Sequence, residues 1–361
     1  MHPPSERVND LRPKRTAVFF LCLMALLCLP APDSARAGEA SGSSSIIWKF
    51  GTVAPQGVGY ANQIKRLVLP VVQEASGGAI QVKVFWGGTM GDDPEIIRKM
   101  RFGHLNGAGL TGYGATLLSP ELTVLTLPFL FENENEVDFI KKNMRGVFSA
   151  AMEKSQVYLF AWIDQDFDQI YSASWPMDTL AQFPKARFLT WYGPVEEELF
   201  KMLGTKPIPV RTSDILSALD HKLGNSLIAP AIFVVGSQMF SRLNYVNPMK
   251  IRYSPAVVVV RQEDWQALPQ RFKDKYFELR DGLEAAFTTE IRHENKRFLA
   301  AIKKYGITEV TVAPEELSRM KTATRPLWDK LAGRMYPREL LDQILALLSE
   351  YRAKEGGAAA K

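Results

Sequence analysis

The sequence has few residues that could carry thiol, metal or imidazole chemistry. It contains two cysteines and four histidines among 361 residues. Cys22 and Cys28 both precede residue 30, and His104, His221 and His293 are far from one another along the chain. Zinc sites need several such ligands, and a catalytic triad needs a histidine beside a nucleophile. We therefore predict no catalytic residues, no metal site and no cofactor.

A strong excess of one charge is also absent. The 44 basic and 39 acidic residues leave a formal net charge of +5, without the dense basic surface that nucleic-acid binding needs. With 46% hydrophobic residues, the chain is too apolar for a disordered protein. The composition indicates a folded globular protein with no nucleic-acid partner.

Only the N-terminus contains a long hydrophobic run. Basic residues precede the apolar stretch 17–29, and Ala35 and Ala37 offer the small residues that signal peptidase requires. The stretch is shorter than the about 20 residues of a transmembrane helix. An uncleaved anchor is one alternative, and lipid attachment at Cys28 is disfavoured because no small residue precedes it. We expect a signal peptide at 1–37, a flexible linker at 38–45 and a mature protein in the periplasm.

Strand and helix patterns alternate along the rest of the chain. Segments 46–53, 80–84 and 157–162 have the apolar or alternating character of strands, with helical spacing between them. One continuous helical pattern runs from Gln270 to Tyr305 and would extend over roughly 50 Å, which is longer than one small domain. We therefore predict an α/β fold with two lobes and a long helix that spans or joins them.

Two short motifs resemble ligand sites but lack the necessary surroundings. The glycines at 107–112 satisfy G-x-G-x-x-G, yet a predicted helix precedes them where a dinucleotide site needs a strand. Asp164, Asp166 and Asp168 alternate as in a calcium loop, but no glycine occupies the sixth position. We interpret the first motif as a glycine-rich strand and loop. We interpret the second as a solvated loop, with a looser cation site as the alternative.

Aromatic residues are frequent at the predicted ends of strands. Trp191 and Tyr192 lie at the end of a predicted strand that begins at Arg187. Ligand clefts of α/β proteins open at such ends, and aromatic walls with a few polar groups suit small molecules. These two residues are therefore predicted to line a ligand pocket. The other aromatic candidates are Tyr60, Trp86, Tyr113, Trp162 and Phe233.

Four segments together resemble one known family. They are Phe85–Glu95, similar to PGG-x-L-G-x-x-x-E; Leu127–Phe131, similar to D-L-P-F-L-F; Phe200–Pro209, similar to F-K-x-L-G-x-x-P-x-P; and Ser213–Leu219, similar to S-[ED]-x-x-x-A-L. Their order and spacing resemble the substrate-binding proteins of tripartite ATP-independent periplasmic (TRAP) transporters, the DctP-like group. The resemblance extends from about Ile46 to Leu317.

The resemblance implies an architecture and a set of partners. It implies a two-lobed α/β clamshell with hinge strands and a long helix spanning both lobes. This clamshell would close on a small organic ligand and dock onto TRAP membrane permease subunits driven by an ion gradient. The implied boundaries are lobe I at 46–168, lobe II at 169–254, a return to lobe I with the long helix at 255–296, a C-terminal helical part packing on lobe II at 297–355, and a disordered tail at 356–361.

The sequence departs from this family where members commonly bind a carboxylate. They use an arginine eleven residues before F-K-x-L-G, and that position is Leu189 here, with Arg187 two residues away. A second frequent arginine corresponds to Asp168. The segment Leu189–Pro194 instead resembles variants with W-T-W-x-G-x-P. Because leucine cannot replace a bidentate arginine–carboxylate pair, we expect a neutral or amphipathic ligand.

The predicted function is that of an extracytoplasmic solute-binding receptor and not of an enzyme. The predicted ligand-binding residues are Tyr60, Tyr113, Trp162, Arg187, Leu189, Trp191, Tyr192, Asn225 and Phe233. One alternative is the same fold acting as the ligand-sensing partner of a sensor or efflux assembly, without import. Another is an enzyme on the same clamshell, against which the absence of a histidine cluster, thiols and paired acid and base carboxylates argues.

Overall fold

The computed structural model describes residues 45–359, with side chains up to residue 355. The predicted signal peptide and linker residues 38–44 lie outside the described residues. The strands are β1 Ile46–Thr52, β2 Ile80–Phe85, β3 Gly107–Leu110, β4 Val157–Ser172, β5 Arg187–Thr190, β6 Lys206–Pro209, β7 Ser226–Ala229, β8 Tyr245–Arg261 and β9 Thr308–Glu309.

Helices connect most of these strands. They are α1 Tyr60–Gln63, α2 Leu69–Ala75, α3 Asp93–Arg101, α4 Gly112–Leu118, α5 Glu134–Lys154, α6 Pro194–Met202, α7 Ile215–Asp220, α8 Ala231–Gly236, α9 Gln262–Gln266, α10 Gln270–Ile302, α11 Pro314–Thr324, α12 Pro326–Leu331 and α13 Arg338–Ala359. A π-helical turn, Ile64–Val68, joins α1 to α2. Among the described residues, no helix combines the length and the apolar character that crossing a membrane requires.

The nine strands form one mixed sheet in the order β2-β1-β3-β8-β4-β7-β5-β6, with β9 paired to β8. The strands β1, β2 and β3 are parallel to one another, as are β5, β6 and β7. Antiparallel pairs between β3 and β8 and between β4 and β7 attach both groups to the centre of the sheet. We call the part around β1–β3 lobe I and the part around β5–β7 lobe II.

The long strands β4 and β8 are the hinge strands that connect the lobes. They pair antiparallel from Val157 opposite Arg261 to Ser172 opposite Tyr245, with register shifts on the way. One end of β8 therefore pairs with lobe I, and the far end of β4 pairs with lobe II. The predicted boundaries after residues 168 and 254 both fall inside these strands. The α/β clamshell with hinge strands is thus confirmed.

The predicted long helix is α10, which has 33 residues. Its buried side chains include Phe272, Tyr276, Leu283, Phe287 and Ile291, all on the face that the sequence periodicity indicates. The helix packs against α2 of lobe I, β4 of the hinge and α8 of lobe II. It therefore spans both lobes, as predicted.

The sequence interpretation of one segment is wrong. Asp164, Asp166 and Asp168 do not form a solvated loop, because β4 continues through them and the paired strand β8 and nearby side chains bury all three. The helix α13 extends to Ala359, and the disordered tail at 356–361 stays a prediction. The alanines that follow Gly357 are strong helix formers and favour this extension.

Candidate ligand-binding site

A cavity lies where the hinge strands pass between the two lobes. The space open to the centres of water molecules is about 40 Å³. Lobe I contributes the carboxyl ends of β1 and β3, and lobe II contributes the chain after β5 and part of α8. The lining residues are Thr52, Val53, Ala54, Tyr60, Ile64, Gly109, Leu110, Thr111, Ile163, Gln165, Trp191, Tyr192, Thr212, Phe233 and Ala256.

Aromatic rings form one wall of this cavity. The ring of Trp191 lies 5.6 Å from that of Tyr192 and 5.7 Å from that of Phe233, measured between centroids. Tyr60 completes the wall from lobe I. The spacing between the rings is typical of tilted aromatic contacts. The cavity can therefore enclose an apolar or aromatic part of a ligand.

The turn after β5 holds Trp191 and Tyr192 in place. The carboxylate of Glu196, at the start of α6, accepts the backbone N–H groups of Trp191 at 3.2 Å and of Tyr192 at 3.3 Å. It also accepts the hydroxyl of Thr190. Gly193 follows with a φ of 73°, a conformation that favours glycine. A residue that begins the next helix therefore fixes both aromatic side chains.

The polar centre of the cavity is Gln165 on β4, a residue that the sequence analysis did not single out. Its Oε1 accepts the backbone N–H of Gly112 and the hydroxyl of Tyr192, both at 3.2 Å. Its backbone carbonyl accepts the hydroxyl of Tyr60 at 3.3 Å and the amide of Asn295 at 3.1 Å. Because Gly112 belongs to lobe I and Tyr192 to lobe II, one side-chain oxygen connects both lobes.

A charged cluster lies directly behind Tyr192 and does not line the cavity. Arg252 donates from Nε to Asp168 at 2.6 Å and from Nη2 to Glu196 at 3.1 Å, and all three side chains are buried. The guanidinium carbon lies 4.2 Å from the centroid of the Tyr192 ring. Ser254 donates a further hydrogen bond to Asp168 at 2.9 Å. Two nitrogens of this arginine, Nε and Nη2, therefore bond to protein carboxylates.

Burial and ion pairing act in opposite directions on the pKa values of the charged groups in this cluster. Burial raises the pKa of Asp168 and of Glu196, although Arg252 acts in the opposite direction on both. Burial also opposes the charge of Arg252, but Glu196 and Asp168 together keep the pKa of this arginine above its ordinary value. For Tyr192, burial is the main reason for a raised pKa, and Asp168 adds to it. The tyrosine hydroxyl thus stays a hydrogen-bond donor at neutral pH.

Formal charge is absent from the wall itself. Among the described residues that line the cavity, none is a lysine, arginine, histidine, aspartate or glutamate. The part of the chain that the structure describes also contains no group of three or more histidine, cysteine or acidic residues arranged to hold a metal ion. The arrangement can bind an uncharged group through hydrogen bonds and apolar contact.

The cleft beside the cavity is held shut by two contacts between the lobes. The carboxylate of Asp92 in lobe I accepts the backbone N–H of Thr212 in lobe II at 2.7 Å. The half-buried ring of Tyr113 lies so close to Gly193 that a Cβ there would overlap it. Tyr113 therefore lies at the contact between the lobes and is not among the lining residues.

The structure brings together four of the nine predicted site residues and, besides Tyr113, places four others elsewhere. Tyr60, Trp191, Tyr192 and Phe233 line the cavity. Trp162 does not, because alternation along β4 turns Ile163 and Gln165 toward the cavity and Trp162 to the other face. There the ring of Trp162 packs edge-on against Phe148, with centroids 5.3 Å apart.

Arg187 and Asn225 lie at the amino end of β5, away from the cavity at its carboxyl end, and Leu189 belongs to a buried hydrophobic cluster of lobe II. Arg187 is exposed and donates to the carbonyl of Lys222 at 3.0 Å. Leu189 is fully buried and its side chain packs against Gly224. Asn225 accepts the backbone N–H of Arg187 at 2.9 Å. These residues stabilise lobe II and do not reach the cavity.

A β-bulge explains why Gln165 was missed. In the pairing of β4 with β8, Asp164 lies opposite Pro255 and Asp166 opposite Ser254, so that Gln165 is the extra residue. Asp166 has a φ of 73°. Bulges re-aim side chains and are frequent beside functional sites. One signal in the sequence could have identified Gln165. It lies two residues after Ile163, so that both side chains are expected on the same face of a strand.

Comparisons with known proteins agree with this geometry. Residues 50–334 match the DctP model, described as bacterial extracellular solute-binding protein, family 7. The chain belongs to this family. The family members are solute-binding receptors, and the fold described here is of the same kind.

Relatives and solved structures are similar over most of the chain. The C4-dicarboxylate-binding protein DctB of Bacillus subtilis is 24% identical over 82% of this chain and 86% of its own. The 2,3-diketo-L-gulonate-binding periplasmic protein YiaO of Escherichia coli is 19% identical over 67% of this chain and 74% of its own. The sugar acid binding protein DctPAm from Advenella mimigardefordensis, in complex with galactonate, has a TM-score of 0.80 at 20% identity and covers 85% of this chain and 99% of its own.

Proposed function

We propose that this DctP-family protein is the periplasmic receptor of a TRAP-type secondary transporter. In this proposal the two lobes close on a small neutral organic ligand, and the closed form delivers it to membrane permease subunits. Family membership supports the receptor role. The observation that carries the ligand class is the aromatic cavity wall without a charged side chain among its described residues.

The ligands named for the relatives differ from the one proposed here. DctB is named for a C4-dicarboxylate, and DctPAm is bound to galactonate. A carboxylate that entered this cavity would lose its hydration without gaining an ion pair, which is unfavourable. Arg252 is not among the residues that line the cavity, and its charge is already paired with Asp168 and Glu196. The charge pattern therefore supports a neutral ligand over an anion.

The proposal also includes export of the protein to the periplasm and release of the ligand without chemical change. The signal peptide predicted at 1–37 would direct the chain to the periplasm, and the N-terminal sequence of the exported protein should begin at Gly38. A receptor returns its ligand unchanged, so the mass of a bound molecule should stay constant during prolonged incubation with the protein. Co-purification of the permease subunits with the ligand-loaded protein would show delivery.

Native mass spectrometry of protein purified gently from a periplasmic extract tests the ligand class. We expect a retained neutral molecule with an apolar or aromatic part and at least one oxygen acceptor. A retained organic acid would contradict the neutral ligand, although it would leave the receptor role intact. As a control, the Trp191→Ala variant, prepared in the same way, should retain less of the same molecule.

A further inference from the structure

We infer that Gln165 is the specificity-determining residue of this receptor, and that it couples ligand recognition to closure of the lobes. The inference rests on the proposed function, since it concerns how the proposed receptor selects its ligand. It assigns to Gln165 a donor for the ligand and an acceptor for both lobes. The ligand it selects carries an uncharged oxygen acceptor, such as a carbonyl, amide or ether oxygen.

Gln165 lies at one of the three register shifts in the pairing of β4 with β8. As the extra residue between Asp164 and Asp166, it does not pair with β8. Its backbone carbonyl is therefore free to accept from Tyr60 in lobe I and from Asn295 on the spanning helix α10. The side chain is only 5% exposed. The residue is thus fixed at the hinge by groups outside the sheet.

The side-chain oxygen connects the two lobes, and we call the two hydrogen bonds that it accepts the clasp. Oε1 accepts from the backbone N–H of Gly112 and from the hydroxyl of Tyr192, each at 3.2 Å. Gly112 starts α4 in lobe I, and Tyr192 follows β5 in lobe II. If the lobes separate, at least one of these hydrogen bonds must break. The clasp therefore exists only in the closed form.

One N–H of the side-chain nitrogen remains for the ligand. The backbone N–H of Gly112 can only donate, so the atom that faces it must be the oxygen, and this fixes the orientation of the amide. The hydroxyl of Tyr60, which donates to the backbone carbonyl of Gln165, is also a hydrogen-bond partner of the Gln165 side chain and can accept one N–H of Nε2. An amide nitrogen carries two N–H donors, and Gln165 belongs to the cavity wall. A donor in the wall that has no partner is unfavourable. An oxygen acceptor of the ligand would satisfy it.

This arrangement links recognition to closure in one amide group. A ligand that accepts from Nε2 holds the side chain in the orientation that points Oε1 at both lobes. An anion would bring charge into a wall without a cation, and a donor-rich cation would face Nε2, which is itself a donor. A neutral ligand with an oxygen acceptor brings no uncompensated charge into the cavity, and it can accept a hydrogen bond from Nε2.

Two substitutions separate the functions of the two side-chain atoms. Gln165→Glu keeps an oxygen for Gly112 and Tyr192 but replaces the donor by a second acceptor. Gln165→Leu removes both. The matched control is Gln169→Leu on the same strand, because the buried side chain of Gln169 bonds only to Phe167 and Tyr171, two residues away on either side. All variants are compared with the wild-type protein by thermal unfolding before binding is measured.

The probes are benzamide, benzoate and benzamidinium, which share one shape and carry charges of 0, −1 and +1. Each offers a ring for Trp191 and Phe233. Binding is followed by quenching of tryptophan fluorescence and by calorimetric titration, and closure is followed by small-angle X-ray scattering. For the wild type we expect benzamide to bind in preference to both ions and to reduce the radius of gyration.

The two Gln165 variants should differ in how they change ligand binding and closure of the lobes. Gln165→Glu should weaken benzamide binding by about tenfold or more and improve binding of benzamidinium, with closure retained. Gln165→Leu should lose benzamide binding and closure, while Gln169→Leu should behave as the wild type. If both Gln165 variants bind benzamide and close like the wild type, the inference is wrong and the proposed receptor stands.

The same measurements distinguish failure of the proposed function from failure of the inference about Gln165. If the wild type prefers benzoate, or binds none of the three probes, the neutral ligand of the proposed function is wrong. If benzoate is preferred and Gln165→Leu still abolishes closure while Gln169→Leu does not, the clasp is supported even though the ligand class is not.

Discussion

Tyr192 separates two regions of opposite character. On one side lies a cavity whose described lining residues carry no formal charge, and on the other lies the buried cluster of Arg252, Asp168 and Glu196. The guanidinium of Arg252 is 4.2 Å from the ring of Tyr192, yet it is bonded to two carboxylates. An arginine close to a binding site is therefore not evidence for an anionic ligand when protein carboxylates already pair with its charge.

The two regions also differ in how they tolerate substitution. A buried ion cluster depends on every member, because the removal of one partner leaves an uncompensated charge. The cavity wall depends on shape and on a few uncharged hydrogen bonds. We therefore expect the cluster to govern stability and the wall to govern binding. The following variants are chosen to test this division.

The largest effect is expected for Arg252→Met, which leaves Asp168 and Glu196 buried without their cation. The free energy of unfolding should fall by about 3–5 kcal/mol, measured by chemical denaturation at pH 7. The loss should be smaller at pH 5, where the two carboxyls can protonate. Arg187→Met is the control, since Arg187 is exposed. Equal losses in the two variants would contradict a special role for the cluster.

The second-largest effect on stability is expected for Asp166, a buried carboxyl that, among the described residues, does not have a bonded cation as Asp168 and Glu196 have in Arg252. Burial raises the pKa of Asp166 to about 7, above the about 3.9 of an unfolded aspartate. Between about pH 4 and pH 7 the native state therefore holds a proton that the unfolded state releases, and the free energy of unfolding falls as the pH rises. Asp166→Asn cannot ionise and should be more stable than the wild type at pH 8, by about 2–4 kcal/mol.

Asp164 on the same strand is the matched control for that variant. Burial acts to raise the pKa of Asp164 as well, but Lys141 and Arg292 outweigh it, and the pKa lies below its usual value. Lys141 and Arg292 are bonded to this carboxylate at 2.7 and 2.8 Å. Asp164→Asn should therefore lower the stability at pH 8. Unfolding curves of both variants from pH 4 to pH 8 would test this. A gain in stability for both Asp166→Asn and Asp164→Asn would contradict the difference between the two carboxyls.

Trp191→Ala should change binding more than stability. Trp191 contributes a large face to the cavity, and loss of such an aromatic contact should weaken benzamide binding by about tenfold to a hundredfold. Trp175→Ala provides the same change at an exposed position, where the side chain is 38% exposed. Calorimetric titration of both variants would test this. Unchanged binding by Trp191→Ala would show that the ligand does not use the aromatic wall.

The fold was largely predictable because its signals are local. The apolar spacing of Phe272, Tyr276 and Phe287 indicates a long helix at 270–305, and α10 occupies nearly that range. Trp191 and Tyr192 were identified because the carboxyl end of a strand is a general place for ligand clefts. Both kinds of inference depend on periodicity or on chain position, which the sequence shows directly.

The polar part of the site was not predictable in the same way. The bulge at Gln165 depends on the pairing of β4 with residues about 90 positions later in the chain, opposite Pro255 and Ser254. The engagement of Arg252 depends on three-dimensional contacts with Asp168 and Glu196. The alternating aspartates of β4 looked like a loop because nothing local reveals the cations that pair with Asp164. Register and charge compensation are non-local properties.

The smallest effect is expected for an exposed ion pair, the counterpart of the buried cluster. Glu198 on α6 bonds to Lys330 on α12 and to Lys201, and these hydrogen bonds lower its pKa to about 2. Water and salt screen such a pair, so Lys330→Met should cost less than about 1 kcal/mol of unfolding free energy. The loss should shrink further in 0.5 M salt (an about fivefold higher ionic strength than 0.1 M).

The control for that variant is Lys354→Met, which removes the partner of Glu350 within one turn of α13. It should produce no measurable change, because both side chains are more than half exposed. The two lysine variants and Arg252→Met can be compared in one series of denaturation curves. A loss for Lys330→Met that approached that of Arg252→Met, or that did not respond to salt, would show that contact between α12 and α6 stabilises the protein by more than its charges.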